Sequence, residues 1–181
     1  TLIDALLHGR GPVALPVFDK SRDDRAVEPR IVDAPVDVLL FEGWCIGARP
    51  QSAAALARPV NTLEAQADPH GIWRRWVNAR LVADYTPLFA QADALVWLQT
   101  PAYATALAWR QQQEAELRAT TSRGMSVEAV ADFMAHYERL SRAMRRSLPR
   151  RADYVVTIDR AHRLTGLKTK GFQRAGLGPA P

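Results

Sequence analysis

Three short apolar runs constrain the fold of this chain most, because helical patterns lie between them. Residues 38–41 (Val-Leu-Leu-Phe) are apolar throughout and too few for an ordinary helix, which is typical of a strand covered on both faces. Residues 92–98 and 152–158 have the same character, and each run is preceded or entered by an aspartate. Strands that alternate with helices indicate βαβ crossovers, so the sequence predicts an α/β fold with a parallel sheet and helices on both faces.

The first run ends at an acid and a glycine, Glu42 and Gly43. Ligands of open α/β sheets bind just beyond the carboxyl ends of the strands, where a carboxylate reaches a metal ion or a substrate hydroxyl. Glu42 is therefore a candidate functional residue. The alternative is an acid that is merely solvated at a strand end.

Composition limits the class of protein. With 181 residues and 48% hydrophobic content, the chain has enough apolar material for one domain with a substantial core. No apolar run is long enough to span a bilayer, and the single cysteine, Cys45, excludes an internal disulfide. Nothing at the start resembles a signal peptide, so a cytoplasmic protein is expected.

The charge balance is basic and depends on arginine. The formal net charge is +5, and 21 of the 24 basic residues are arginines. Arginine suits bidentate phosphate binding, and nucleic acid is an alternative partner for a basic protein. Acids and bases are spread through most of the chain, and genome composition also favours arginine, so nucleic acid is not the expected partner.

A charged segment at residues 18–25 precedes the first apolar run. It holds three acids and three bases without a helical or strand period. One interpretation is a solvated loop. The other is a binding loop in which Lys20, Arg22 and Arg25 hold anionic groups while Asp19 orients a hydroxyl, which suits a small phosphorylated or carboxylated ligand.

A helix is predicted from Ile72, with Pro87 bending or ending it. Its apolar residues recur at spacings of four and three, and this stripe is predicted to be core: Trp73, Val77, Leu81, Tyr85 and Leu88.

Two further helices between the second and third runs, at about 102–148, carry the most polar faces. In the first, the stripe changes from apolar to charged at Arg110, which Glu114 can steady at i+4, with Gln113 close by. Ser126 is the predicted N-cap of the second helix, which bears a basic ridge of Arg139, Arg142 and Arg146. Solvated helix surfaces explain such patterns, and so does a mobile lid over phosphates.

The ends of the chain look unlike the middle. The sequence starts at Thr1 without methionine and apparently within a helix, which suggests a fragment. The folded domain is expected over residues 1–163, and residues 164–181, which contain Gly and Pro, are predicted to form a flexible tail.

Four blocks of sequence carry a resemblance to a known family. They are FDK at 18–20, EGW at 42–44, WRQQQE at 109–114 and YERLSR at 137–142. In this order, from about residue 16 to 159, the chain resembles the D-glycerate 3-kinase family, P-loop kinases related to uridine kinase and phosphoribulokinase. Together the blocks are fairly specific, whereas any one alone is weak.

The resemblance implies a P-loop-kinase type of sheet with an Arg-rich helical lid, and ATP-dependent phosphorylation of D-glycerate with magnesium. Glu42 would serve the magnesium shell or the attacking hydroxyl, and Asp19 would assist catalysis. Other residues would bind the acceptor or neutralise the transferred phosphoryl group: Lys20, Arg22, Arg25 and Trp44 at the acceptor, and Arg110, Gln113, Arg139 and Arg142 in the lid.

One family feature is absent from this sequence. It contains no G-x-x-x-x-G-K-[ST] loop, whose backbone N–H groups, lysine and hydroxyl cradle the phosphates and magnesium. Thr1 therefore looks like a cut site, and activity of this chain alone is not expected. Two alternatives stay open: a related kinase for another small hydroxylated substrate, and a non-catalytic module that binds phosphate or nucleic acid.

Overall fold

The computed structural model describes residues 1–19, 22–121 and 123–170. Its contacts divide the chain into two compact units, Thr1–Trp44 and Cys45–Pro181, which are described separately below. A single domain over residues 1–163 therefore stays a prediction.

The first unit consists of one helix and two small antiparallel ladders. Helix α1 (Leu2–His8) begins at a capping box between Thr1 and Asp4. Strand β1 (Gly11–Leu15) pairs with β4 (Arg30–Ala34), and between them β2 (Phe18–Asp19) pairs with β3 (Asp24–Arg25). The Val36 N–H donates to the Leu6 carbonyl at 2.8 Å, which fastens the end of the β4 segment to α1.

The strand predicted at residues 38–41 does not form. This segment has no strand assignment, and Val38, Leu40 and Phe41 are 75%, 88% and 53% exposed. A strand needs a neighbour that accepts and donates its backbone hydrogen bonds, and no strand among the described residues pairs with this one. The prediction of a buried strand that ends at Glu42 is wrong for this structure.

The second unit begins with short helices joined by caps and buried polar contacts. They are α2 (Ala53–Leu56), α3 (Thr62–Ala67), α4 (Ile72–Arg80) and α5 (Thr86–Phe89), with a π-helical turn at Leu81–Tyr85 between the last two. Asp68, 3% exposed, accepts the N–H groups of Trp73 and Arg74 at the start of α4. Arg74 also donates to the Leu56 carbonyl at 2.7 Å, which holds α4 against the preceding helices.

Helix α4 buries a different face from the one predicted. Of the expected stripe only Leu81 is buried, whereas Trp73, Val77 and Tyr85 are 53%, 38% and 39% exposed. The inward side carries Arg74 instead, together with Asn78, which exchanges hydrogen bonds with the backbone of Gln51. Hydrogen-bonded polar groups take the place of apolar contacts on this face. The spacing of the apolar residues alone therefore predicted the wrong face of α4 to be buried.

The sheet of the second unit has three strands in the order β5, β6 and β7. Strand β5 (Val96–Gln99) pairs parallel with β6 (Tyr154–Ile158), as the second and third apolar runs predicted. Strand β7 (Leu164–Thr169) pairs antiparallel with β6, in the segment where the sequence suggested a tail. The fold is mixed α/β, but its described sheets are small and mostly antiparallel, so the expected parallel sheet is confirmed only at β5 and β6. The rest of the predicted tail, from residue 171, lies outside the described residues.

Two long helices connect β5 to β6: α6 (Tyr103–Thr121) and α7 (Val127–Arg151). The Ser126 hydroxyl accepts the Ala129 N–H, which confirms the predicted N-cap of α7. A core cluster forms where α7 meets β5 and the segments around them: Ala48, Leu81, Met144 and Leu148, with Cys45, Phe89, Leu95, Trp97 and Leu140 against it. None of the helices in the described part of the chain is long and apolar enough to cross a membrane.

Candidate functional site

Three of the predicted acceptor-site residues of the first unit lie in one hairpin, in which Arg22 and Arg25 are exposed and Asp19 is half-buried. Asp19 is in β2 opposite Asp24, Arg25 is in β3 opposite Phe18, and Arg22 lies in the turn between the strands. The Arg22 N–H donates to the Asp19 carbonyl at 3.2 Å, which closes this turn. Lys20 lies outside the described residues. The hairpin therefore brings the backbone of Asp19, Arg22 and Arg25 together, and their role in binding stays a prediction.

Glu42 and Trp44 follow the exposed run at residues 38–41. Both are exposed, with Trp44 at 46%. Magnesium is commonly held by one or two carboxylates together with waters and substrate phosphates, so the Glu42 carboxylate is a ligand of the type that magnesium takes. Among the residues that the structure describes, no three of His, Cys, Asp and Glu gather into a group that could hold a metal ion.

In the second unit, the structure brings Arg110, Gln113 and Glu114 together on α6. Arg110 Nη2 lies 2.5 Å from Glu114 Oε1, and Arg110 Nη1 donates to Gln113 Oε1 at 2.6 Å. The guanidinium also lies over the ring of Phe133 on α7, 5.8 Å from its centroid. These contacts confirm the predicted i+4 pair and hold a partly exposed guanidinium in one orientation.

Arg139 is buried and its guanidinium is occupied by protein groups. It is 7% exposed and donates to both carboxylate oxygens of Glu64, from Nε at 2.7 Å and Nη2 at 2.6 Å. It also donates to the carbonyls of Ala55 and Arg58 at 2.9 and 2.6 Å. This arginine fastens α7 to the segment that contains α2 and α3, whereas the sequence suggested either a solvated ridge or a lid residue that faces phosphates.

Arg142, one turn further along α7, keeps an accessible guanidinium. Its side chain is 51% exposed, and Glu138 Oε1 holds it through Nε at 2.7 Å and Nη2 at 2.5 Å. The guanidinium lies over the ring of Tyr103, 5.9 Å from the centroid, and the Tyr103 hydroxyl donates to the Met134 carbonyl at 2.6 Å. Burial, with the charge of Glu138 adding to it, raises the pKa of Tyr103 to about 12, so this hydroxyl stays a donor at neutral pH.

Sequence reasoning missed two residues that shape this region. Arg145 donates to the carbonyls of Thr100 and Pro101 at 2.6 and 2.8 Å, which ties α7 to the segment after β5. The Glu64 carboxylate accepts the Val60 N–H, and the Glu64 backbone N–H donates to the Asn61 side chain. In this N-cap arrangement the acid follows the capping residue, Asn61, by three positions. That spacing was readable in the sequence. Arg145 donates to two backbone carbonyls, which leave no sequence signal, and to the Thr100 hydroxyl at 3.0 Å.

Comparisons with known proteins find similarity to kinases. No protein-family model matches the chain. The chain is 34% identical over 132 residues to the uncharacterized kinase mug58 of Schizosaccharomyces pombe, and 33% identical over 118 residues to the chloroplastic D-glycerate 3-kinase of Arabidopsis thaliana. These matches cover 69% and 64% of this chain.

Two solved structures share the fold. The D-glycerate 3-kinase of Cryptococcus neoformans var. grubii aligns with a TM-score of 0.71, 24% identity and 88% of this chain covered. The YGR205w protein aligns with a TM-score of 0.69, 23% identity and 95% of this chain covered. The chain spans 47% and 23% of the two sequence relatives, and 60% and 62% of the two solved chains.

Proposed function

We propose, from the premise that this chain belongs by distant homology to the D-glycerate 3-kinase and mug58-like kinase family, that the protein phosphorylates D-glycerate with ATP. One observation carries the choice of glycerate: proteins named D-glycerate 3-kinase match this chain both in sequence and in structure. The acceptor hydroxyl would attack the γ-phosphoryl group of ATP, so that 3-phosphoglycerate and ADP form.

In the first unit, the proposed acceptor-binding residues are those of the hairpin together with Glu42 and Trp44. Arg22 and Arg25, with Lys20, supply cations for the glycerate carboxylate, and Trp44 supplies an exposed ring beside it. Asp19 orients the acceptor hydroxyl. Glu42 serves the magnesium shell, and magnesium when bound neutralises charge on the phosphate oxygens.

In the second unit, the proposed phosphate-binding residues lie on α6 and α7. Exposure divides the three lid arginines, because Arg142 and Arg110 keep 51% and 31% of their side chains accessible, whereas Arg139 keeps 8%. We assign charge neutralisation on the transferred phosphoryl group to Arg110 and Arg142, with Gln113 holding Arg110. The N–H groups of Arg139 already donate to Glu64, Ala55 and Arg58, so its proposed role is to hold α7 in place.

The test is phosphoryl transfer by the protein purified from its native source, after its intact mass and N-terminal sequence have been measured. It is assayed with magnesium and ATP against D-glycerate, pantothenate and uridine. We expect turnover with D-glycerate above the other acceptors. Turnover with another acceptor alone would favour a related kinase, and ligand or polyanion binding without any transfer would favour a non-catalytic module.

A substitution at Glu42 tests its role. Because a side chain that takes the proton of the attacking hydroxyl contributes roughly 10²–10⁴-fold, Glu42→Gln should lower kcat by that order if Glu42 has this role. Glu28→Gln, which changes another exposed acid of the first unit, is the matched control and should retain wild-type kcat. Equal rates in the two variants would remove Glu42 from the site.

A further inference from the structure

We propose that Glu114 is a positioning residue that couples the turn between α6 and α7 to the orientation of Arg110. The inference rests on the proposed function, in which Arg110 contacts the transferred phosphoryl group. It goes beyond that function because it assigns a role to a carboxylate that does not touch substrate.

Glu114 is a buried acid with a separate partner for each oxygen. The residue is 4% exposed, with Oε1 at 2.5 Å from Arg110 Nη2 and Oε2 accepting the Met125 N–H at 2.8 Å. A buried carboxylate is stable only with partners of this kind, so neither can be removed without leaving an unsatisfied oxygen. The two partners lie 15 positions apart in sequence, on the helix and in the turn, and this one side chain joins them.

Two residues of the turn, Gly124 and Met125, lie close to Glu114. Gly124 has φ +127°, a conformation that L side chains rarely adopt, and a Cβ built on it would lie 3.0 Å from Glu114 Oε2 and 3.1 Å from the Glu114 carbonyl oxygen. Arg118 of α6 donates to the Met125 carbonyl. The Met125 peptide groups are therefore held on α6 by Glu114 and Arg118 together.

Arg110 in turn has few alternatives to the orientation that Glu114 sets. Its other terminal nitrogen donates to Gln113, and its face lies over Phe133 of α7. If the guanidinium moved away, the buried Glu114 carboxylate would lose the positive charge that pairs with it. If the turn moved, the same carboxylate would lose its hydrogen bond from the Met125 N–H. The positions of the turn and of Arg110 are thus linked through Glu114.

The test is a double-mutant cycle on kcat with Arg110→Gln, Glu114→Gln and the double variant of the native protein. Glutamine keeps an oxygen for the Met125 N–H but removes the charge that pairs with Arg110. We expect Arg110→Gln to lower kcat by about 10²-fold and Glu114→Gln by roughly 10-fold or more, with KM for glycerate within about twofold of wild type. If Glu114 acts through Arg110, the double variant has the kcat of Arg110→Gln alone.

A second variant tests the coupling without changing a charge. Gly124→Ala pushes the turn away from Glu114, so we expect faster hydrogen exchange at the Met125 amide together with a lower kcat. Gly166→Ala is the matched control, because its new Cβ would meet nothing closer than 3.7 Å. That control should change neither quantity.

The outcomes separate the two proposals. Additive effects in the cycle, or a Gly124→Ala variant with faster exchange at Met125 and wild-type kcat, would overturn the role of Glu114 and leave the kinase function standing. A wild-type protein that does not phosphorylate D-glycerate would overturn the proposed function, and this inference with it.

Discussion

Arg139, Arg142 and Arg146 recur at helical spacing on α7, and their surroundings decide what each one does. Arg139 meets a carboxylate and two carbonyls of a distant segment, Arg142 pairs within its own helix, and Arg146 is exposed. Helical spacing predicts that the three share a side of the helix. It could not predict the burial of Arg139, because Glu64 lies 75 positions away in sequence.

The burial of Arg139 leads to a stability prediction. Arg139→Met should lower the free energy of unfolding by about 3–5 kcal/mol, because it leaves Glu64 partly buried without its cation. Arg146→Met, the matched exposed position on α7, should change it by less than about 0.5 kcal/mol. Urea denaturation of both variants measures the difference, and similar midpoints would contradict the buried pair.

The same pair predicts a dependence on pH. Burial raises the pKa of Glu64, but hydrogen bonds from Arg139 and from the Val60 N–H lower it by more, so the pKa of this carboxyl lies below its ordinary value. A lowered pKa in the folded state gives stability above the unfolded pKa of about 4.3, and this stability is lost as the pH falls towards the folded pKa.

Glu64→Gln should therefore flatten the loss of stability below about pH 4.3. Urea midpoints between neutral and acidic pH measure this slope, with Glu28→Gln as the charge control at an exposed side chain. A Glu64→Gln variant with the wild-type slope would show that the pair does not contribute.

At the scale of elements, the three apolar runs show where a sequence pattern succeeds. Residues 92–98 and 152–158 contain β5 and β6, and each strand has a neighbour in the sheet. Residues 38–41 are also apolar, but they have no strand partner among the described residues. Apolar composition predicts which segments favour a strand, whereas pairing depends on a second segment that the pattern does not identify.

Leu40 tests the exposed state of this run directly. Leu40→Asn should change the free energy of unfolding by less than about 0.5 kcal/mol, since the side chain is 88% exposed. Leu148→Ala, at a side chain with 0% exposure, should lower it by roughly 2–5 kcal/mol. A large loss at Leu40 would instead indicate that residues 38–41 are buried, as the sequence suggested.

At the scale of the whole molecule, the mixed α/β class and the two long helices were predictable from local patterns, whereas the charged segment at residues 18–25 was expected to be a loop and contains the paired strands β2 and β3. The antiparallel pairing of β1 with β4 and the strand β7 were not predictable, because their residues carry weak periodicity and join the sheet through backbone bonds. The predicted site residues are likewise distributed over both units: Asp19, Arg22, Arg25, Glu42 and Trp44 in the first, and Arg110, Gln113, Arg139 and Arg142 in the second.

The two units differ in the cores that they contain. In the first, the buried apolar residues are Leu6 and Ala34, whereas the second has the cluster around Met144 and Leu148. We therefore expect amides of β1 and β4 to exchange hydrogen by openings of lower free energy than those of β6. Native-state hydrogen exchange measures this, and equal protection would contradict it.

Three arginines of α7 donate to main-chain oxygens of segments outside this helix. Arg139 donates to Ala55 and Arg58, Arg145 to Thr100 and Pro101, and Arg151 to Gly47. Every amino acid has the same backbone carbonyl. These contacts therefore require the arginine on α7, but they do not require a particular side chain at the residue that accepts. Over evolutionary time, most of the positions that supply these carbonyls are free to change their side chains, whereas Glu64 and Thr100, whose side chains also accept from Arg139 and Arg145, are not.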